Sequence, residues 1–301
     1  SEWGMTTLYL AFDTSMLWNK YCIMRLSIVY RGRAIPLVWK VIEHGSSSVA
    51  LSEYKELLAT AAQLLPMYVS GRIIFLADRG FADTELMRYL KEKLHWHWRI
   101  RIKSSFKVYR PKHRGCQISR YAPKAGEAIF WHSIRITDER FGPVHLAMAH
   151  RRENGERWYV LSSNPTDLQT FDEYGLRFDI EENFLDDKSN GFQLESSLIR
   201  SAQALTRLCL VLAVATLFLV CQGVEVQRTD KRRWVDPHWF RGNSYLRIGW
   251  NWCKHAKTKG WSLLQQWFLD PTPDPEPAIA SMSSFFALPS IRLKISFQKF
   301  A

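Results

Sequence analysis

The spacing of apolar residues in the first third of the chain changes from the strand period to the helix period in a definite order. Three strand-like runs come first: Leu8–Asp13, Cys22–Tyr30 and Ala34–Ile42. They are followed by a helix, a short apolar strand, a second helix and a further strand-like run: Val49–Leu65, Arg72–Ala77, Thr84–Leu94 and Trp96–Lys103. The order β-β-β-α-β-α-β predicts an α/β fold.

The pattern changes after this first part. Glycines, prolines and short alternating strands fill residues 104–164, helical spacing resumes over Thr166–Ser189, and Leu194–Gln222 reads as one long apolar helix. The segment Pro271–Pro277 is too rich in proline for a helix or a central strand. We therefore predict a core of residues 1–103 and 165–222, a β-rich insertion at 104–164, a basic helical region at 223–270 and a proline-rich linker and tail at 271–301.

Secretion and membrane insertion are not indicated. The five cysteines form no C-x-x-C motif, which favours reduced core thiols over disulfides or a thiolate zinc site. The first residues lack a basic stretch followed by an apolar one, and the apolar run Leu208–Cys221 is shorter than the ~20 residues that cross a bilayer. We expect a cytoplasmic protein with no membrane partner.

The charge is strongly positive and unevenly spread. Lys and Arg number 41 against 29 Asp and Glu, which gives a net charge of +12. Nearly all of the charged side chains in residues 91–120 are Lys or Arg, whereas residues 172–187 are rich in Asp and Glu. The excess of cations indicates a polyanionic partner, either nucleic acid or an anionic membrane surface. A basic surface beside an acidic pocket suits a metal-dependent enzyme that acts on nucleic acid.

Two acids follow apolar strands. Asp13 ends the first strand and Asp78 ends the buried run Ile-Ile-Phe-Leu-Ala. Each acid alone is explained as well by an ordinary turn. If the two strands are neighbours, however, both carboxylates reach the same edge of a sheet, where open α/β sheets place their sites.

A third acid lies in the segment 174–188. On one continuous helix, Tyr174, Arg177, Glu181 and Lys188 fall within an arc of about 60°, beside an apolar stripe that would dock the helix on a sheet. A solvated charged face with i,i+4 pairing explains the same pattern without function.

The spacing Y-x2-R-x3-E-x6-K of these four residues resembles the signature of bacterial DDE transposases of the insertion-sequence-four type. Asp13-Thr14 and Phe-Leu-Ala-Asp78-Arg79-Gly-Phe resemble that family's two other acidic motifs, and Trp158-Tyr-Val-Leu-Ser-Ser-Asn-Pro resembles the strand that carries its base-stacking tryptophan. The resemblance covers roughly Leu8 to Gln222. Only twelve residues precede Asp13, so this chain is expected to lack the family's N-terminal DNA-binding domain.

The resemblance implies an RNase H-like mixed sheet flanked by helices, with the β-rich insertion before the catalytic Glu helix. It implies that Asp13, Asp78 and Glu181 are catalytic and hold two Mg²⁺ ions, for which Mn²⁺ can substitute, in cleavage and strand transfer at transposon ends through a hairpin intermediate. Double-stranded DNA would be the substrate of a synaptic homodimer, with the protein associated with the bacterial nucleoid. The expected DNA contacts are Tyr174, Arg177, Lys188, Trp158, Arg79, Lys103 and Lys107.

Three alternatives stay open. A truncated remnant would bind DNA without cutting it, and another RNase H-like nuclease would cut without transposing. A carbohydrate hydrolase with paired carboxylates fits poorly, because it needs no cations beside its acids. The pair His95 and His97 has no third metal ligand at a suitable spacing, which favours a half-exposed strand over a metal site.

Overall fold

The computed structural model describes residues 7–65, 72–110, 113–152, 154–265, 267–278 and 295–299. The strands of this part are β1 (Leu8–Leu17), β2 (Tyr21–Tyr30), β3 (Arg33–Glu43), β4 (Ile73–Ala77), β5 (His97–Arg101), β6 (Lys107–Tyr109), β7 (Cys116–Gln117), β8 (Ala128–Ile136), β9 (Phe141–His150), β10 (Arg157–Ser162) and β11 (Ile295–Lys299). The α-helices are α1 (Leu51–Leu64), α2 (Thr84–Glu92), α3 (Gln169–Gly175), α4 (Phe178–Leu185), α5 (Ala202–Arg228) and α6 (Tyr245–Lys259).

The chain divides into two compact units. The first unit contains Asp13–Ala61 and Phe178–Ser284, and the second contains Thr7–Phe12 and Ala62–Arg177. Strand β1 therefore contributes its first half to the second unit and its second half to the first.

A mixed sheet forms the second unit. Its strand order is β1-β4-β5-β10-β9-β8-β6-β7, with β11 alongside β8. Strands β1, β4 and β5 run parallel, whereas β10, β9, β8 and β6 continue the sheet in antiparallel fashion. All five residues of β4 are buried, as expected for a strand in the parallel part of a sheet. The segment 104–164 supplies β6 to β10, so it is rich in β-structure as predicted.

The first unit begins with an antiparallel meander. Strand β1 turns into β2 through Trp18 and Asn19, whose φ angles of 52° and 53° are those of a tight hairpin turn. Helix α5 lies against β3, where the Trp39 indole donates to the carbonyl of Thr206 at 2.8 Å. Helices α5 and α6 touch at their glycines: a Cβ on Gly223 would lie 1.9 Å from the Tyr245 carbonyl oxygen. This close approach admits only glycine.

Helix α5 is long and apolar enough to cross a membrane by length and composition. It has 27 residues, and its most apolar window has a mean hydropathy of 2.4. The length argument drawn from Leu208–Cys221 is therefore wrong, because the helix extends beyond that run. Its second half is nevertheless buried in the first unit and includes the polar residues Gln222 and Glu225. In its first half, by contrast, the apolar side chains of Leu210, Val211 and Val214 are exposed.

The fold confirms the predicted class, an α/β architecture with a large mixed sheet flanked by helices. Three element predictions are wrong in detail. Strand β1 does not end at Asp13 but continues to Leu17, because the hairpin with β2 extends it. The long apolar helix begins at Ala202, where Ser201 accepts the capping hydrogen bond. The predicted helix over Thr166–Ser189 is broken. The predicted domain boundaries stay a prediction.

Candidate active site

Asp78 lies at the carboxyl end of a fully buried strand. The chain leaves β4 at this residue, as predicted. Its Oδ1 accepts a hydrogen bond of 2.7 Å from the backbone N–H of Gly80. A Cβ on Gly80 would lie 2.9 Å from the same oxygen, so glycine lets the carboxylate fold back over the turn that follows. The strand and the turn together fix the position of the Asp78 carboxylate.

Asp13 lies inside β1 at the point where the pairing of β1 with β4 stops. The two strands are parallel, and the last register partners are Phe12 and Ala77. Asp13 directly follows Phe12 in the chain, and Asp78 directly follows Ala77. The Asp13 Oδ1 accepts the backbone N–H of Thr14 at 2.8 Å, and the Asp13 charge adds to burial in raising the pKa of Cys22 to about 11. The prediction that Asp13 ends its strand is wrong, but the two strands are neighbours, which was the condition for a shared sheet edge.

The segment that carries the Tyr-Arg-Glu-Lys signature is not one helix. Helix α3 ends at Gly175, helix α4 begins at Phe178, and Lys188 lies in a π-helical turn over Asp186–Asn190. Glycine is the poorest helix former after proline, which explains a break at this position. The predicted arc of 60° therefore does not apply. The boundary between the two units also falls here, so Tyr174 and Arg177 belong to the second unit and Glu181 and Lys188 to the first.

In the second unit, Tyr174 is enclosed by aromatic rings. Its side chain is fully buried and stands edge-on to Trp158, with a distance of 5.4 Å between ring centroids. Phe171 and Phe130 belong to the same buried cluster. Burial raises the pKa of Tyr174, Arg177 and Arg101 lower it, and Asp78 raises it further. The Tyr174 hydroxyl therefore lies within the electrostatic reach of a predicted catalytic acid and two arginines.

Trp158 and Arg177 are also covered in this conformation. Trp158 is 8% exposed and Arg177 is 5% exposed. The Arg101 guanidinium lies 5.7 Å from the centroid of the Trp158 ring. A base can stack on Trp158 only if neighbouring side chains move, because protein atoms cover the ring faces. The DNA contacts of Trp158, Tyr174 and Arg177 stay predictions.

In the first unit, Glu181 projects from the exposed side of α4, whereas Lys188 is held close to the protein. The Lys188 Nζ donates to the carbonyl of Met16 at 2.5 Å. Burial lowers the pKa of Lys188, and the charge of Glu195 opposes this effect. An ammonium group has three donors, so this contact leaves Lys188 with capacity for a phosphate oxygen.

A basic pocket of about 450 Å³ opens in the second unit. It is lined by four cationic side chains, three serines, Tyr159 and Ile102: Arg79, Arg101, Lys103 and Arg157, with Ser104, Ser105 and Ser119. Two of the cations, Arg79 and Lys103, were predicted to bind DNA. Arg101 and Arg157 were missed, although alternation along β10 places Arg157 and Tyr159 on one face, and Arg101 is the last residue of β5, two positions before Lys103. Cations and hydroxyl groups in one pocket are the donors that phosphate prefers.

Lys107 lies outside this pocket. Its Nζ pairs with Asp138 at 2.6 Å, and both groups are exposed. The hydrogen bond with Asp138 raises the pKa of Lys107 and lowers that of Asp138. The positive charge of Lys107 is therefore compensated by its neighbour, and its predicted contact with DNA has no support from its surroundings.

No group of three or more His, Cys, Asp or Glu side chains is placed to hold a metal ion in the described ranges. The donor chemistry of Asp13, Asp78 and Glu181 still suits Mg²⁺ or Mn²⁺, since both ions prefer carboxylate oxygens. His97 is one of the two histidines considered above as a metal site. Its Nδ1 atom lies 3.3 Å from the Ser163 hydroxyl oxygen.

Comparison with known proteins gives one family. The model of the transposase DDE domain matches residues 19–218, which is more than half of the chain and includes Asp78 and Glu181 but not Asp13. No curated protein matches.

Among solved structures, the chain is similar to the Argonaute of Marinitoga piezophila in complex with 5′ OH guide RNA and target DNA, with 11% identity and a TM-score of 0.25. The likeness covers 59% of this chain and 25% of that one, so it spans about a quarter of the Argonaute. A likeness this weak carries no argument about function. On the strength of the family match, the chain belongs to the transposase DDE domain family.

Proposed function

We propose that the protein cuts and joins DNA strands at transposon ends in a metal-dependent reaction, as an insertion-sequence-four type transposase. The observation that carries the proposal is the parallel register of β1 and β4, in which Phe12 and Ala77 are partners and an aspartate follows each. Two acids that follow register partners on neighbouring parallel strands are the arrangement that this chemistry requires.

Asp13, Asp78 and Glu181 would hold two Mg²⁺ ions, with Mn²⁺ as a substitute. When bound, such ions activate an attacking hydroxyl and stabilise the leaving oxygen of the phosphodiester. The Gly80 N–H orients the Asp78 carboxylate before any ion arrives, because its hydrogen bond fixes the rotation of the side chain. Glu181 is exposed on α4, so its side chain has room to turn toward an ion.

DNA binding is supported by the basic pocket of the second unit. Arg79, Lys103 and Arg157 present cations there beside three serine hydroxyls. Cations that pair with phosphates release the counterions of the DNA and supply most of the sequence-independent affinity. We propose that this pocket binds the sugar–phosphate backbone, that two copies of the chain work together at paired ends, and that the protein acts at the bacterial nucleoid.

The hairpin intermediate belongs to the same proposal. It requires the terminal bases to leave the stack, and Trp158 would then receive one of them. The burial of Trp158 means that this step needs a rearrangement of its aromatic neighbours.

A DNA-binding remnant without nuclease activity is the second candidate. It is favoured by the basic pocket of the second unit, whose described lining residues offer cations and hydroxyl groups for phosphate but no carboxylate for a metal ion. Neither candidate is favoured by the beginning of the chain, which can belong to a longer protein.

Nicking of supercoiled plasmid DNA distinguishes the two. The transposase predicts open-circular and linear products with Mg²⁺ or Mn²⁺, none with EDTA, and none from the Asp78→Asn variant. The remnant predicts retarded plasmid without nicks under every condition. The Asp83→Asn variant is the matched control, because Asp83 caps helix α2 by accepting the Glu85 N–H.

A further inference from the structure

Each half of the Tyr-Arg-Glu-Lys signature is held within its own unit by a buried arginine; in the first unit the half-buried Arg33 adds weaker pairs with Glu182 and Asp186. In the first unit this residue is Arg25 of β2, which is 1% exposed. Its Nη1 donates to Asn183 Oδ1 at 2.7 Å and its Nη2 lies 2.6 Å from Asp187 Oδ2. Asn183 is two residues after Glu181, and Asp187 comes directly before Lys188. Arg25 thus holds both ends of the segment that carries Glu181 and Lys188.

In the second unit the residue is Arg99 of β5. Its Nε and Nη2 each lie 2.8 Å from Glu173 Oε2, and its Nη1 donates to Ser162 Oγ at 2.5 Å. The Tyr9 hydroxyl donates to the other oxygen of Glu173 at 3.1 Å. Glu173 comes directly before Tyr174. Arg99 thus fixes the end of α3 that carries Tyr174 and leads to Arg177.

Stability does not account for these two ion pairs. Removing charges from water is costly, and a well-packed apolar pair of similar volume is as stable or more so. A guanidinium instead fixes the orientation of its partners, because its rigid planar set of N–H donors matches only a few arrangements of acceptors. Both forks hold residues that adjoin the signature in the chain, and the signature itself is interrupted at Gly175. A broken helix cannot orient its own side chains in common, so each half needs a separate attachment.

We propose that Arg25 and Arg99 are positioning residues for the reaction, Arg25 for Glu181 and Lys188 and Arg99 for Tyr174 and Arg177. The proposal rests on the proposed function. It goes further by dividing the work: Arg25 governs the metal requirement through Glu181, and Arg99 governs DNA affinity through Tyr174 and Arg177. These two side chains are buried in this conformation, so they reach DNA only when the side chains that cover them move. Neither arginine touches metal or DNA in this scheme.

The test compares Arg25→Lys with Arg99→Lys, so that each is the control for the other. Three measurements are made on the full chain: Mn²⁺ affinity by electron paramagnetic resonance, affinity for a labelled DNA duplex in EDTA, and plasmid nicking against Mg²⁺ concentration. Arg25→Lys should weaken Mn²⁺ affinity by about tenfold and raise the Mg²⁺ requirement equally, the usual effect of losing a residue that orients a metal ligand. Its duplex affinity should stay at the wild-type value.

Arg99→Lys should show the opposite division. Duplex affinity should fall about threefold to fivefold, the size of one displaced ionic contact, while Mn²⁺ affinity and the Mg²⁺ requirement stay at the wild-type values. If either lysine variant does not fold, Asn183→Ala replaces the first and Ser162→Ala the second. Each of these removes one hydrogen bond from the corresponding arginine and keeps the charge pair.

The outcomes separate the two proposals. The positioning roles are overturned if the folded variants change neither Mn²⁺ affinity nor duplex affinity, or change both by the same factor. The proposed function is intact in that case. A wild-type protein that neither binds Mn²⁺ nor nicks plasmid overturns the proposed function and the positioning roles with it. The division of work is supported only if the Arg25 variant weakens Mn²⁺ affinity alone and the Arg99 variant weakens duplex affinity alone.

Discussion

The two halves of the signature lie in surroundings of opposite character. In the second unit, Tyr174 is enclosed by aromatic rings, and a pocket of arginines and a lysine opens in the same unit. In the first unit, Glu181 lies on helix α4. Arg25 holds Asn183 of this helix and Asp187 of the turn that follows it, and Arg33 pairs with Asp186 of the same turn. The basic pocket of the second unit is therefore suited to attract phosphate, whereas the surroundings of Glu181 in the first unit bring several carboxylates close together. The division is not complete, because the predicted catalytic acid Asp78 belongs to the second unit.

The largest effect is expected at Glu181, which is exposed and therefore contributes little to folding. Glu181→Gln should lower metal-dependent nicking by roughly a thousandfold or more, as loss of a catalytic group does, and should leave the fold and the duplex affinity unchanged. Plasmid nicking and anisotropy measure the two. Glu182→Gln is the matched control, because Glu182 is also exposed and makes a long ion pair of 3.9 Å with Arg33. Equal activity of the two variants would contradict the assignment of Glu181.

Trp158 is expected to give the next largest effect, through stability. Trp158→Ala should lower the free energy of unfolding by about 3–5 kcal/mol, because it empties a site packed against Phe171 and Tyr174. Chemical denaturation measures this change. Trp239→Ala is the control: Trp239 lies in the first unit, is 78% exposed, and should cost little.

The same variant tests base stacking. If nicked DNA accumulates before hairpin closure beyond what the loss of folded protein explains, Trp158 acts as a stacking platform in addition to its packing role. Equal losses of nicking and hairpin formation, in proportion to the folded fraction, would identify a purely structural role.

The sequence predicted most of what local pattern controls. The apolar run before Asp78 and the turn at Gly80 predicted a buried strand with an acid at its end, and both are found. The length of β1 was missed because a hairpin at Trp18-Asn19, without glycine, gives a weak turn signal. The break after Gly175 was missed because placing the four signature residues on one helical wheel assumes that a single helix runs through all of them. The partners of Arg25 and Arg99 come from distant parts of the chain, so no spacing rule could find them.

The cations of the basic pocket should give an effect of intermediate size. Replacing Arg79, Lys103 and Arg157 together by Gln should reduce the slope of log affinity against log salt by about 0.9 for each phosphate that the variant no longer neutralises. Duplex affinity measured over a salt series gives this slope. The matched control replaces three exposed lysines of the first unit, Lys254, Lys257 and Lys259, by Gln. If the control changes the slope as much, attraction of phosphate is not a property of the second unit.

The smallest effect is the pH dependence of stability that Asp179 contributes in the first unit. Burial raises the pKa of Asp179 to about 7, Glu182 adds to this effect and Arg33 opposes it. A carboxyl group with a raised pKa in the folded state is protonated there while it ionises in the unfolded chain. Its contribution to stability is therefore complete at acidic pH and is lost as the pH rises toward 7, by about 1 kcal/mol per pH unit between the two pKa values. The denaturation midpoint of Asp179→Asn should therefore rise relative to that of the wild type as the pH increases from 5 to about 7. Burial lowers the pKa of His145 in the second unit to about 4, which adds the opposite slope to both curves and cancels in this difference. Asp230→Asn, at an exposed position of the same unit whose φ of 56° suits asparagine, is the control and should leave the curve unchanged. An Asp179→Asn curve as steep as that of the wild type would show that the acids of this half are ionised in the folded protein, and the contrast between the two halves would then rest on the cations alone.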